Sequence, residues 1–311
     1  MSKKILIIAG ATASGKSAHA LSVAAHCDGV IINADSQQLY RDLPILTARP
    51  TEAEQAGIPH KLYGILGADE QASAGKWLRF AKMEIDWAHS QGLAPMVVGG
   101  TGLYIKTLME GIAEVPEIDE AVRQQAANDY EAMGKEAFSE RLRAVDPEFF
   151  ERLKVYDRQR LLRAYEVWLG TGKSLSWWQG RGNVRPYPDA EFEVIKVELP
   201  REEIYRRCDA RFLKMIEQGA VEEVRSLFFT SPLMGEVAEC SDLGGGESIA
   251  SNTPSLPLPH QGGGNLRKII GVTEILAYLR GDQSLNQSVK MAQQMTRNYA
   301  KRQLTWLRNQ L

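Results

Sequence analysis

The stretch ILIIAGATASGKSAHAL, residues 5–21, decides the fold. An apolar run meets a glycine-rich turn, then a lysine and a serine, then a helix-compatible segment. Residues 10–17 fit the spacing G-x-x-x-x-G-K-[ST], with a strand-like run before and a helix-like run after. That context favours a phosphate-binding loop over a plain strand–turn–helix connection. Glycines let successive backbone N–H groups converge on phosphate oxygens, and the following helix adds the positive end of its dipole. Gly10, Ala11, Thr12, Ala13, Ser14, Gly15, Lys16 and Ser17 are therefore the candidate phosphate cradle. In it Lys16 supplies a point charge, and the Ser17 hydroxyl is a candidate magnesium ligand.

Working outward, residues 4–9, 29–35 (GVIINAD), 94–100 (APMVVGG) and 191–200 (EFEVIKVELP) are short apolar or β-branched runs. Helical spacing marks residues 17–26, 77–92 and a segment from Leu103. Such alternation predicts an α/β fold, a P-loop NTPase-like parallel sheet flanked by helices. Residues 117–185 change character, being rich in charge and helix formers and free of strand-like runs. The predicted organisation is a catalytic core from residues 1–115 and 188–311, with a helical insertion at 116–187. Residues 201–228 read as a long helical stretch turned near Gly219. Residues 231–264 are rich in Gly, Ser and Pro and read as a disordered insertion loop within the core.

The chain has 311 residues, 44% of them hydrophobic and 24% charged, with a net charge of -2. Total charge therefore points to no partner, but its distribution does. From Gln283 to the end, Lys290, Arg297, Lys301, Arg302 and Arg308 face no acidic residue. Residues 151–185 hold eight basic residues against three acidic ones. Two basic segments in an otherwise acidic chain suit a polyanion, or two solvated helix faces. Cys27, Cys208 and Cys240 form no CxxC pair, which suits a reducing compartment and a cytoplasmic protein. No apolar run reaches the ~20 residues of a membrane span. The opening MSKKILIIAGATA imitates a signal peptide, but its short apolar run leads directly into GKS.

Ligands of open parallel sheets bind beyond the carboxyl ends of the strands. Three predicted strand ends carry informative residues: the phosphate loop, Asp35 in DSQQLYR (35–41), and Thr101 in GGTGLY (99–104). Alone, Asp35 reads as a magnesium ligand or as a helix N-cap, and GGTG as a tight turn. Together they describe a phosphate site with a carboxylate beside it. The arginine-rich lid pattern of small-molecule kinases is not evident.

The chain resembles the tRNA dimethylallyltransferases, which prenylate the adenosine next to the anticodon. The matching pieces are GATASGKS (10–17), DSQQLYR (35–41), TARP (47–50), PHKL (59–62), VVGGTGLY (97–104), DRQRLLRAYEV (157–167), TGKS (171–174), RCDARF (207–212), IIGVTE (269–274) and TRNYAKRQLTWLR (296–308). They run in family order over nearly the whole chain. Ala11, Arg49 and Val272 depart from the usual proline, lysine and tyrosine.

The resemblance implies that the loop holds the diphosphate of dimethylallyl diphosphate, with Mg²⁺ as cofactor at Ser17. It implies Asp35, Thr101 and Arg211 as catalytic residues; spacing alone would not have selected the last two. It implies Asp35, Ser36, Gln37, Gln38, Thr101, Arg123, Gln159, Arg160, Leu161, Leu162 and Arg163 as contacts to the tRNA anticodon loop, in a monomer. Tyr299 and Trp306 are candidates for base stacking or for packing. Three rivals stand beside this reading: a small-molecule P-loop kinase, an adenylate isopentenyltransferase, and an RNA-binding ATPase-like module without transfer chemistry.

Overall fold

The computed structural model describes residues 3–153, 156–230 and 265–311. The loop expected at 231–264, with Cys240, lies outside them. The chain opens with β1 (Lys4–Gly10), α1 (Lys16–Ala24), β2 (Gly29–Asn33), the one-turn α2 (Glu52–Gln55), β3 (His60–Lys61), α3 (Ala74–Ser90), β4 (Ala94–Gly99) and α4 (Gly102–Glu110). Next come α5 (Glu120–Val145), broken at Gly134, then α6 (Pro147–Arg152), α7 (Arg158–Thr171) and α8 (Leu175–Gly180). The chain closes with β5 (Glu191–Val197), α9 (Arg201–Glu217), α10 (Ala220–Arg225), α11 (Val272–Leu279) and α12 (Leu285–Gln310).

The five strands form one sheet of order β3-β2-β4-β1-β5, every neighbouring pair parallel. Ile7 of β1 lies beside Val97 of β4 and Val194 of β5, and Ile31 of β2 beside Met96. The four apolar runs of the sequence are thus four of the strands. The fifth, β3, has two residues and no periodicity to betray it; it exists because β2 is there to pair with. Interior strands are covered on both faces, so β2 is buried throughout, whereas the edge strand β5 alternates exposed and half-buried residues.

On one face Ala20 and Ala24 of α1 pack against Ile8, Ile31, Met96 and Val98. The amphipathic α3 buries Trp77, Ala81, Ile85 and Ala88. The Trp77 indole N–H donates to Asn33 O at 2.8 Å, and its ring stacks on Tyr104 at 4.7 Å. Beneath the phosphate loop, Ile204 and Cys208 of α9 and Ala300 of α12 pack on Ala11.

The chain divides into two compact units, residues 1–105 with 189–311, and residues 106–188. The second opens at Lys106 rather than at residue 116. α4 continues through Glu110, and an antiparallel bridge between Ile112 and Val184 joins the two ends of this segment. Its core holds Ala126, Phe138, Leu142, Phe149, Leu161, Ala164 and Tyr165. Buried Asp146 caps α6 by accepting from Phe149 N at 3.1 Å and ties in α8 by accepting from Ser176 N at 3.0 Å.

β2 and β4 approach most closely where they end. A Cβ on Gly99 would lie 2.2 Å from both the carbonyl carbon and oxygen of Ala34, a contact only backbone movement could relieve. Gly99→Ala is therefore expected to destabilise the protein by about 1–3 kcal/mol, the usual cost of forcing a methyl group into a packed core. Thermal unfolding followed by circular dichroism checks this against Gly75→Ala, where an added Cβ meets nothing within 4 Å.

Candidate active site

The phosphate loop begins where β1 ends. Ser14 N donates to Ala11 O at 3.1 Å, and Ala13 and Gly15 take positive φ of 62° and 92°. A Cβ on Gly10 would lie 2.5 Å from Ser14 Oγ and 3.0 Å from Val197 O, so the first glycine admits the turn. No side chain caps the N-terminus of α1, which leaves its first N–H groups for a ligand. The loop borders a cavity of about 340 Å³. Its walls include Thr12, Lys16, Ser17, Asp35, Gln38, Arg211 and Tyr299.

Three cationic side chains line this cavity: Lys16, Arg211 and Arg207, the last paired with Glu203 at 2.6 Å. Lys16 Nζ donates to Ala11 O at 3.4 Å; burial lowers its pKa, partly opposed by the negative charge of Asp35. The residue as a whole is only half-buried, so it is the ammonium that lies deep. The Arg211 guanidinium donates to Thr12 Oγ1, and burial lowers its pKa as well. The Ser14 hydroxyl is buried and has no hydrogen-bond partner among the described residues. Buried cations and an unsatisfied hydroxyl are costly unless an anion completes them.

Asp35 is buried just past β2. Although the apolar run extends to it, β2 stops at Asn33. The Asn33 amide turns the chain outward: its Oδ1 accepts from Asp35 N at 2.9 Å and its Nδ2 donates to Asp35 O at 3.0 Å. Asp35 Oδ1 accepts from Gln37 N at 3.1 Å, closing an Asx turn. The N-cap alternative thus falls, since residues 36–39 turn without forming a helix.

Thr101 sits behind this turn. Its Oγ1 accepts from Ser36 N at 3.0 Å, and its own N–H donates to Ala34 O at 3.1 Å. The Tyr299 hydroxyl lies beside Thr101 and Ser36, and burial pushes its pKa up. The phosphate loop, Asp35 and Arg211 therefore border one cavity, with Thr101 in the same unit behind the Asp35 turn rather than on the cavity wall. Gln38 donates to Thr47 O at 3.1 Å and Ala48 O at 2.8 Å, which holds a second wall of the cavity.

The remaining expected RNA contacts lie in the other unit. Arg123 pairs with Glu120 at 3.3 Å. Gln159 and Arg160 are exposed on α7, and Arg163 is half-buried beside Glu166 at 3.5 Å. Gln159, Arg160 and Arg163 line a cavity of about 530 Å³ with Arg152 and Gln179. Leu161 is a correction: its side chain has no exposed area and belongs to the core, because it falls on the inward stripe of α7. Leu162 is half-buried against the same core.

Residues behind the cavity wall, not singled out in the sequence, brace it. Glu223 of α10 accepts from Ile45 N at 2.7 Å and Leu46 N at 3.0 Å, fixing the cavity wall at Leu46. Gln303 of α12 is buried against the phosphate loop. A signal existed: Thr296 and Gln303 interrupt the buried stripe Ala292, Ala300, Leu307. Trp306 is half-buried and packs over Gly102, where an added Cβ would lie 2.2 Å from its ring.

A parallel sheet with a phosphate loop at the end of an interior strand, and a carboxylate across the same cavity, defines a P-loop NTPase-like α/β protein. Within that class, the "IPP transferase" family profile matches residues 38–310 and "Isopentenyl transferase" matches residues 3–63. The chain belongs to the IPP transferase family. It is 45% identical to the tRNA dimethylallyltransferase of Rhodospirillum centenum over 99% of this chain and 90% of that one. It is 44% identical to that of Phenylobacterium zucineum over 100% of this chain and 91% of the other. Among solved structures, a eukaryotic dimethylallyltransferase acting on tRNA matches with TM-score 0.77 and 26% identity, over 98% of this chain and 70% of that one. The tRNA isopentenylpyrophosphate transferase of Staphylococcus epidermidis matches with TM-score 0.61 and 31% identity, over 99% and 91%.

The lowered pKa of Lys16 gives a test of the cradle. The ammonium that binds an anion is lost as pH rises through a value below that of a free lysine. Diphosphate affinity, measured by calorimetry from pH 7 to 10, is expected to fall for the wild type relative to Lys16→Met. The variant retains only the titration of diphosphate itself.

Proposed function

We propose that this chain transfers the dimethylallyl group of dimethylallyl diphosphate to the exocyclic N6 amine of the adenosine on the 3′ side of the tRNA anticodon. The observation that carries this reading is a single cavity lined by an anion cradle with Lys16 and Arg211 and by the carboxylate of Asp35. It is supported by relatives named for that activity over nearly their whole length.

In this reading the allylic C–O bond breaks and an N–C bond forms. Negative charge grows on the departing diphosphate and positive charge on the allyl carbon. Loop N–H groups, Lys16 and Arg211 face the growing anion and stabilise it in a site already organised. Thr101 holds the turn beside Asp35 through Ser36. Asp35 accepts the proton the amine loses, and diphosphate leaves. The Ser17 hydroxyl, on the cavity wall, is a hard oxygen donor that fits magnesium, which needs few protein ligands beside water and phosphate. When bound, the ion neutralises diphosphate charge.

The target base leaves its stack to reach such a cavity, and the exposed basic residues Arg160, Lys301 and Arg302 meet backbone phosphates. Among the described residues no helix is long and apolar enough to cross a membrane. We place the reaction in the cytoplasm, with the protein acting as a monomer.

The decisive experiment offers dimethylallyl diphosphate or ATP, with and without tRNA, and looks for prenylated adenosine by mass spectrometry. Transfer from dimethylallyl diphosphate only in the presence of tRNA is the expected result. Stoichiometric ADP release per modified tRNA would overturn it in favour of an ATP-driven enzyme. Asp35→Asn is expected to slow single-turnover transfer by about 10²–10⁴-fold with both substrates still bound. Rescue by added Mg²⁺ would instead make Asp35 chiefly a metal ligand.

Alanine at Arg160, Arg163, Lys301 and Arg302 together is expected to flatten the salt dependence of tRNA binding. Each lost phosphate contact should remove about 0.7–0.9 from the log–log slope. Filter binding at several salt concentrations measures it, and identical slopes would make these residues solvated faces.

A further inference from the structure

One buried polar bridge in the catalytic unit is made by a side chain to which the reaction above gives no role. Gln303 is 5% exposed and comes from α12, far along the chain from the strand ends it joins. Its Oε1 accepts from Thr12 N at 2.8 Å, and its Nε2 donates to Gly100 O at 3.0 Å. Both ends of the amide are thus used, one on the phosphate loop and one on the turn after β4.

Each contact leads directly to a residue of the proposed reaction. Thr12 receives the Arg211 guanidinium on its side chain. Gly100 precedes Thr101, whose Oγ1 holds Ser36 beside Asp35 at 3.0 Å. A Cβ on Gly100 would lie 2.3 Å from Gln303 Nε2 and 2.8 Å from Gly10 O, so the second glycine of GGTG is what lets the amide seat. Tyr299, one helical turn earlier on the same face of α12, lies beside Thr101 and Ser36.

We propose that Gln303 is a positioning residue, and that its amide sets the separation between the anion-binding loop and the Thr101–Asp35 side of the cleft. This rests on the transfer reaction proposed above. The primary amide is the group the task requires. It must accept from an N–H and donate to a carbonyl at once, which a carboxylate or a thioether of similar length cannot do. Because Thr12 N is already engaged, loss of the bridge changes the alignment of the two reactants more than the affinity for either. A misplacement of ~1 Å costs on the order of 10²-fold in rate.

The test uses Gln303→Met, which keeps shape and loses both bonds, and Gln303→Glu, which retains the acceptor only. Steady-state kinetics are expected to show kcat lower by about 10–100-fold in both, with KM for dimethylallyl diphosphate changed by less than about threefold. The discriminating measurement is a double-mutant cycle with Thr101→Ala. If Gln303 acts through Thr101, adding Gln303→Met to Thr101→Ala costs little further rate; purely structural damage would multiply the two losses. Additive free-energy losses, or a KM effect with kcat intact, would overturn the proposal. Should Gln303→Met not fold, the same cycle is run with Gln303→Glu. Wild-type protein assayed alongside separates the two failures. Absence of prenylated adenosine there refutes the reaction itself, whereas wild-type turnover with an additive cycle refutes only the role of Gln303.

Discussion

The close approach of three strand ends underlies everything else in the catalytic unit. β1, β2 and β4 finish within contact of one another, and the residues at the meeting point have no room for a side chain. An added Cβ on Gly10, Gly99 or Gly100 would fall 2.2–2.8 Å from backbone or side-chain atoms of Ser14, Ala34, Gly10 or Gln303. The consequence is chemical as well as steric. The loop after β1, the Asp35 carboxylate after β2 and the Thr101 hydroxyl after β4 are held together because the backbones that carry them touch, with Thr101 behind the turn that bears Asp35.

That closeness produces an electrostatic tension that a ligand relieves. Lys16 and Arg211 carry their charges where burial disfavours them, and the Ser14 hydroxyl finds no partner among the described residues. Asp35 opposes the burial of both cations through its charge. A diphosphate would supply the missing acceptors, and the groups around the cavity are held in place before it arrives: Thr12 by Gln303, Asp35 by Asn33 and Thr101 by Ser36. Donors fixed in advance do not have to reorganise as charge develops, which is how a site of this kind lowers a barrier.

The helical unit solves a different problem. Its core is aromatic, with Phe138 and Tyr165 rings 4.7 Å apart, and α7 presents Arg158, Gln159 and Arg160 outward from that anchor. One helix thus carries both the core contact of Leu161 and the exposed basic row. The sequence segment DRQRLLR shows both roles, but which residue takes which depends on the angle at which α7 meets α5.

By itself the sequence determined the phosphate loop, four of the five strands and the helical character of residues 117–185. Each is written in local terms: a fixed spacing of glycines and lysine, apolar runs of strand length, and charge at helical periodicity. Tertiary structure alone decided the rest. β3 exists only through its neighbour, β2 ends early because Asn33 bonds across Asp35, and Leu161 turned inward from a segment expected to face RNA. Thr101 and Arg211 were visible through family resemblance and not through spacing. Gln303 showed in the sequence only as a polar break in the apolar stripe of α12, since its role needs Thr12 and Gly100 to arrive on either side of one amide. Local periodicity encodes which face of a segment is buried; only the packed chain determines which polar groups meet there.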